Sequence, residues 1–361
     1  MDRFRIDGHK MNYHLDRVNE WMHGDKTKVF PIYVEISPVG QCNHRCTFCA
    51  VDYIGYVNRK IDTGKLKNNI MNMALHGVRS IMYAGEGEPT LHPDLAEIVE
   101  WTDRNGIDVA MTTNGTGLSG RFCEEALEHC TWIKISCNAG DAETYAKIHQ
   151  TKQGDWTRVW GNVSYAIKLR NQWKLKTTIG VQCVLLPENA EALCDLAKKC
   201  KETGVDYLVV KPYSQHLKSG NTLYSGVRYE DAYDEYLNAL QMYNGGGFEV
   251  ITRRNAMESW DDENRKSGYK KCLSTPFFWA YIMASGDVYG CSAYLEDERF
   301  RYGNINELLF SEIWLGSKRR NAIDFVLNEL NIDECRKNCR MHNVNKWLWD
   351  VENPGEHKNF I

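Results

Sequence analysis

The sequence predicts an α/β fold, a barrel or open sheet of parallel strands, followed by a small second domain. Three observations predict it: apolar strand-like runs alternate with amphipathic helical stretches, that alternation stops after about Gly245, and the remaining tail reads as a hairpin and a helix. The six runs are VFPIYVEIS from Val29, SIMYAG from Ser80, VAMTTN from Val109, WIKIS from Trp132, TIGVQCVLL from Thr178 and YLVVKPY from Tyr207. Between them, Leu95, Ile98, Val99 and Thr102 recur at helical spacing, as do Val159, Val163, Ala166 and Ile167, and then Tyr233, Tyr236, Leu237 and Leu240. Gly77, Gly106 and Gly204 stand where such helices end, because a C-terminal residue often needs positive φ. Parallel strands require right-handed crossovers, and their carboxyl ends are where active residues belong.

Beyond Gly245, GGGFEVITRR reads as a loop and one more strand. KKCLSTPFFWAYIMASGDVYGC reads as a hairpin, and SEIWLGSKRRNAIDFVLNEL as a helix. Residues 1–28 form a helical extension, 29–253 the α/β unit, and 254–361 the second domain and tail.

With 44 Lys plus Arg against 48 Asp plus Glu, the 361-residue chain carries a net charge of −4, which gives no footprint for nucleic acid or an anionic membrane. No apolar run reaches the roughly 18 residues of a membrane span, and MDRFRIDGHK has no apolar signal core. A cytoplasmic location is expected. There, 13 cysteines point to metal ligation or catalysis rather than disulfides.

Directly after the first strand, CNHRCTFC places Cys42, Cys46 and Cys49 as C-x3-C-x2-C. Three thiolates on one turning loop can converge on a metal site while a fourth position stays open; with His44 as fourth ligand the alternative is a zinc knuckle. The spacing, with aromatic Phe48 before the last cysteine, resembles the radical S-adenosylmethionine (SAM) superfamily. That resemblance implies a 4Fe–4S cluster held by these cysteines, with SAM on its fourth iron. It further implies reductive cleavage of SAM to a 5'-deoxyadenosyl radical, supported by an electron donor such as flavodoxin or ferredoxin.

AGEGEPTLHPDL after the second run resembles the family's Gly-Gly-Glu-Pro loop, with Gly87, Glu88 and Pro89 in register. Glu88 is the candidate contact for the methionine ammonium. Glu86 replaces the family's first glycine, and a solvated loop carboxylate is its plain alternative. TTNG and ISCN resemble the segments that reach SAM, which makes Thr113, Asn114 and Ser136 site candidates, with ordinary turn chemistry as their alternative.

In the tail, Cys272, then Gly286 and Cys291, then Cys335 and Cys339 in CRKNC resemble the auxiliary-cluster region of the SPASM and twitch subfamilies. Four cysteines suffice for one further 4Fe–4S cluster; four-thiolate zinc is the alternative. The resemblance therefore implies a partial (β/α)6 barrel of parallel strands with a small C-terminal twitch-like α+β domain. Of the other six cysteines, Cys123, Cys130, Cys194 and Cys200 read as small hydrophobes, whereas Cys137 and Cys183 are hydrogen-donor candidates or core.

A fully ligated auxiliary cluster suits electron acceptance, so the first expectation is oxidation of a hydroxyl on a sugar or aminocyclitol, as in the family's 2-deoxy-scyllo-inosamine dehydrogenase type. Lys211 at a strand end, with Arg253 and Arg254 at the domain junction, are the candidate catalytic residues. Phe277, Phe278, Trp279 and Tyr281 are candidate pocket walls or hairpin core. Modification of a ribosomally made peptide, or dehydration or epimerisation of a sugar or nucleotide sugar, are the alternatives. Only about 28 residues precede the first strand, which favours a small substrate over a leader-guided peptide. A zinc-binding module is the non-enzymatic alternative.

Overall fold

The computed structural model describes residues 2–229, 231–261 and 268–360. Ten strands are present among these: β1 (Tyr33–Ile36), β2 (Ser80–Tyr83), β3 (Asp108–Thr113), β4 (Trp132–Ser136), β5 (Thr178–Leu185), β6 (Tyr207–Pro212), β7 (Glu249–Thr252), β8 (Trp279–Ile282), β9 (Asp287–Tyr289) and β10 (Arg301–Asn304). They form one sheet in the order β10-β9-β8-β1-β2-β3-β4-β5-β6-β7. Strands β1 to β7 are parallel neighbours in sequence order, each joined to the next through helical crossovers.

The six predicted strands all form, and FEVIT supplies a seventh parallel one, β7, on the β6 edge. The tail does not build a separate sheet. Its β8 pairs in parallel with β1, Tyr281 beside Glu35, and β9 and β10 follow antiparallel. The predicted boundary at 253/254 thus falls inside one continuous sheet, because the free edge of β1 has unpaired backbone groups that another strand can satisfy.

Period-two alternation separates two faces. One buries Val34, Ile36, Ile81, Val109, Ile133, Val181 and Leu208 under helices such as Leu95–Arg104, Gln153–Gln172 and Leu193–Thr203. Cys123, Cys130, Cys137, Cys183 and Cys200 are buried in this same core, so the hydrogen-donor reading of Cys137 and Cys183 has no geometric support. The other face carries the polar residues of the strands, among them Glu35, Thr112, Lys134, Ser136, Gln182 and Lys211. Register places Thr112 beside Lys134, Ser136 beside Gln182 and Lys211 beside Val184.

Helix ends follow the sequence. Gly77, Gly106 and Gly204 all adopt positive φ. The single helix expected over SEIWLGSKRRNAIDFVLNEL divides into Phe310–Trp314 and Ser317–Asn328, since Gly316 has an extended conformation between them. The N-terminal extension forms a helix at Leu15–His23, whose Trp21 packs on Phe277 and Phe278. Those two phenylalanines are therefore core rather than pocket wall, whereas Trp279 and Tyr281 join a separate cluster with Tyr289 and Tyr294.

Candidate functional site

The loop after β1 carries Cys42, Cys46 and Cys49, all free and half-buried. Burial pushes the three thiols upward, Cys42 to about 11; neighbouring cysteine charge adds to the rise at Cys42 and Cys46, and Asp52 adds to it at Cys49. The helix Ala142–His149 receives the loop at its C-terminus. The carbonyls of Ile148 and His149 accept the N–H groups of Thr47 (2.9 Å) and Arg45 (3.2 Å). His149 is fully buried, its Nδ1 lies 3.3 Å from Cys46 Sγ, and its ring stands edge-on to Phe48. His44, the fourth ligand of the zinc alternative, is also buried; it lies 3.6 Å from Asp155 and groups with Cys46 and His149.

Gly87 is required where the loops after β1 and β2 meet. A Cβ there would strike the carbonyl oxygens of Val39 and Gln41, which are backbone and cannot swing aside. Glu88 is buried and saturated with donors: Thr113 Oγ1 (2.5 Å), Asn114 N (2.7 Å), Thr90 Oγ1 (2.6 Å) and Thr90 N (3.2 Å). It binds the β2 loop to the end of β3, so Thr113 acts on Glu88 itself. Asn114 continues the network through Asn43 (2.7 Å) into the cysteine loop. Ser136 ends β4 on the polar face, away from this network.

Glu86 is not a solvated loop carboxylate. It is buried, accepts the N–H of Ala284 from the β8–β9 turn at 2.8 Å, and lies 3.4 Å from Arg59. Burial raises its pKa while Arg59 opposes the rise. A carboxylate replaces the family's glycine because here it clamps the tail hairpin to the β2 loop.

On the polar face, buried Lys211 feels the charges of Lys134, Arg253, Arg340 and Arg336. Burial first, and then these four cations, hold its amine well below the usual lysine range. Burial, Arg340 and Arg253 push Lys134 down to about 8. Neither lysine has a hydrogen bond or ion pair among the described residues; Lys134 lies over the Trp132 ring. Arg253 pairs with Asp7 at 3.6 Å. Arg254 does not join them: it turns away to Asp234 (2.5 Å) and Asn238 (2.9 Å).

Cys272, Cys291, Cys335 and Cys339 form no disulfides, are half-buried, and line one cavity of about 600 Å³ together with Arg336 and Tyr294. Polar groups lie against the sulfurs. Tyr294 OH is 3.4 Å from Cys335, Thr275 Oγ1 3.3 Å from Cys272, and Asn345 Nδ2 3.6 Å from Cys272. Asn345 Oδ1 accepts from Leu273 and Ser274, which fixes the amide so that its nitrogen faces sulfur.

Sequence reasoning missed Glu35, Lys134, His149, Arg336 and Arg340. Two signals were available. Glu35 and Lys134 interrupt apolar strands at the period that turns them to the opposite face, and Arg336 and Arg340 each directly follow a cysteine in CRKNCR. Arg340 pairs with Glu35 on β1, so the tail cysteine loop is tied to the polar face of the sheet. His149 had no such signal, since its partner lies 103 residues away.

The donor sets fit iron–sulfur chemistry: three thiols on one loop suit a cluster with an open position, and four around one cavity suit a closed one. Residues 36–200 match the Radical SAM superfamily, and residues 272–340 match the SPASM iron–sulfur cluster-binding domain. Among curated proteins, the chain is 27% identical over 212 residues to GTP 3',8-cyclase of Rhizobium etli, covering 57% of this chain and 56% of that one. It is 29% identical over 108 residues to the S-adenosylmethionine-dependent nucleotide dehydratase of Flammeovirga pacifica, covering 28% and 37%. The chain thus spans about half or less of these relatives' length. The crystal structure of Streptococcus suis SuiB bound to S-adenosylmethionine shares the fold, with TM-score 0.63 at 18% identity over 87% of this chain and 72% of that one. Among the described residues no helix is long and apolar enough to cross a membrane. The chain carries a radical SAM domain, with its 4Fe–4S cluster and SAM, joined to a SPASM iron–sulfur cluster-binding domain.

Proposed function

We propose that this protein oxidises a hydroxyl-bearing carbon of a small polar substrate, a sugar or cyclitol, to a ketone by radical chemistry. When bound, SAM and the first cluster supply a 5'-deoxyadenosyl radical that takes a hydrogen atom, and the second cluster accepts an electron. Cys42, Cys46 and Cys49 would hold the first cluster and would leave one position for SAM. Gly87 lets the two loops approach, and the Glu88–Thr113–Asn114 network fixes the SAM end of the site. Lys211 takes the hydroxyl proton, because burial among cations keeps its amine available in the neutral form. The oxidation would balance: carbon would lose a hydrogen atom, Lys211 would take the hydroxyl proton, and a cluster held by Cys272, Cys291, Cys335 and Cys339 would supply the acceptor for the remaining electron.

The observation that carries this reading is the Arg340–Glu35 pair. It joins the loop of Cys335 and Cys339 to the sheet face bearing Lys211, which supports reading the tail cysteines as the acceptor's ligands beside a substrate face. The cations of that face disfavour a substrate ammonium, which favours a neutral sugar over an aminocyclitol. A second reading takes the ribose of a nucleotide as the sugar, and is favoured by relatives named GTP 3',8-cyclase and nucleotide dehydratase.

The test is anaerobic reconstitution. About eight irons per chain and SAM-derived 5'-deoxyadenosine are expected, with deuterium from labelled sugars or nucleotides appearing in that product. Tight zinc with no iron uptake would sink the proposal, and deuterium transfer from nucleoside triphosphates alone would favour the second reading.

A further inference from the structure

Buried Asn138 determines which nitrogen of His149 carries hydrogen. Val184 donates its N–H to Asn138 Oδ1 at 2.5 Å, which identifies the side-chain oxygen and leaves Nδ2 as the donor. That Nδ2 lies 3.1 Å from His149 Nε2, and the backbone N–H of Asn138 reaches the same nitrogen at 3.2 Å. Two donors converge on Nε2, so it is the acceptor and Nδ1 bears the hydrogen. Asn189 Nδ2 donates to the carbonyls of Asn138 (2.9 Å) and Val184 (2.9 Å), holding Asn138 in place. The Tyr145 ring stacks on the imidazole at 4.1 Å and prevents it from turning.

The Nδ1–H therefore points at Cys46 Sγ, 3.3 Å away. We propose that His149 is a positioning residue for the first iron–sulfur cluster. It donates a hydrogen bond to the Cys46 thiolate, orients that ligand and raises the cluster's reduction potential. The reason is electrostatic: a donor aimed at sulfur withdraws electron density from it and favours the reduced, more negative cluster. The same orientation excludes Nδ1 as a metal ligand beside Cys46 and His44, because its lone-pair position carries the hydrogen. The Ile148 and His149 carbonyls that receive Thr47 and Arg45 bring the cysteine loop to this donor. The inference rests on the reading that Cys42, Cys46 and Cys49 hold a cluster.

The experiment is pulsed electron paramagnetic resonance on the reduced full chain grown with ¹⁵N-histidine, combined with potentiometric titration. The unmodified protein should show a nitrogen coupling in the signal that responds to SAM. The imidazole part of the coupling should disappear in His149→Phe, which retains an aromatic ring for Tyr145 to stack on, while the His44 N–H against Cys42 Sγ keeps its own weaker coupling. That variant should keep its iron, and the midpoint potential of its SAM-responsive cluster should fall; His149→Gln, with an amide donor, should recover part of the loss. A normal SAM-responsive cluster without imidazole coupling in the unmodified protein would overturn the inference whether or not the variants fold. An unchanged potential in an iron-replete His149→Phe would also overturn it. Absence of any SAM-responsive cluster would instead overturn the radical reading itself.

Discussion

Single residues decide how the loops around the first cysteine set fit together. Replacing Gly87 with alanine forces a methyl group into two backbone carbonyls. We expect a loss of about 1–3 kcal/mol of stability and loss of SAM binding, read by chemical denaturation and equilibrium dialysis. Arg253 and Arg254 looked equivalent as adjacent letters, yet one faces Lys211 and the other pairs with Asp234. Arg254→Ala should leave turnover unchanged and move stability by less than about 1 kcal/mol, because the lost pair is exposed. As the proposed base, Lys211 would set the pH dependence. Its depressed pKa means that the neutral amine accumulates as pH rises, so turnover should increase through that value. The plateau should arrive well below the ordinary lysine value of about 10.4. Lys211→Gln should flatten that limb of the rate profile, and an unaltered limb would remove Lys211 from the role of base.

At the scale of elements, the polar contacts crossing between the two cysteine regions matter more than either region alone. Glu86 links the loop after β2 to the turn between β8 and β9, and Arg340 links the last cysteine pair to β1. Glu86→Ala leaves the Ala284 N–H buried without its acceptor and Arg59 without its pair. A cost of about 1–3 kcal/mol is expected, measured as a shift in the denaturation midpoint. The strands were legible in the sequence because each is an apolar run bounded by turn residues. The division of the last long helix at Gly316 was less so, since SEIW and SKRRNAIDFVLN both continue with helical residues.

Among the described residues all strands belong to one ten-stranded sheet, and this changes what the tail contributes. A chain ending at residue 253 would lose β8 and expose the full edge of β1, with its unpaired N–H and carbonyl groups. Such an edge invites association, so this truncated chain should aggregate in light scattering under conditions where the full chain stays dispersed. The sequence by itself determined the strand and helix alternation, the three-cysteine and four-cysteine sets, and most of the loop residues that meet the first cysteine set. Those features are local: periodicity and spacing along the chain encode them. Only the tertiary structure decided that the tail strand joins the first sheet and that Glu86 is a buried clamp. It also decided that Lys134, Lys211, Arg253, Arg336 and Arg340 share one face, and that His149 donates to Cys46. These depend on contacts between residues far apart in sequence, whose side-chain directions are set by packing and by the hydrogen bonds that buried polar groups must find.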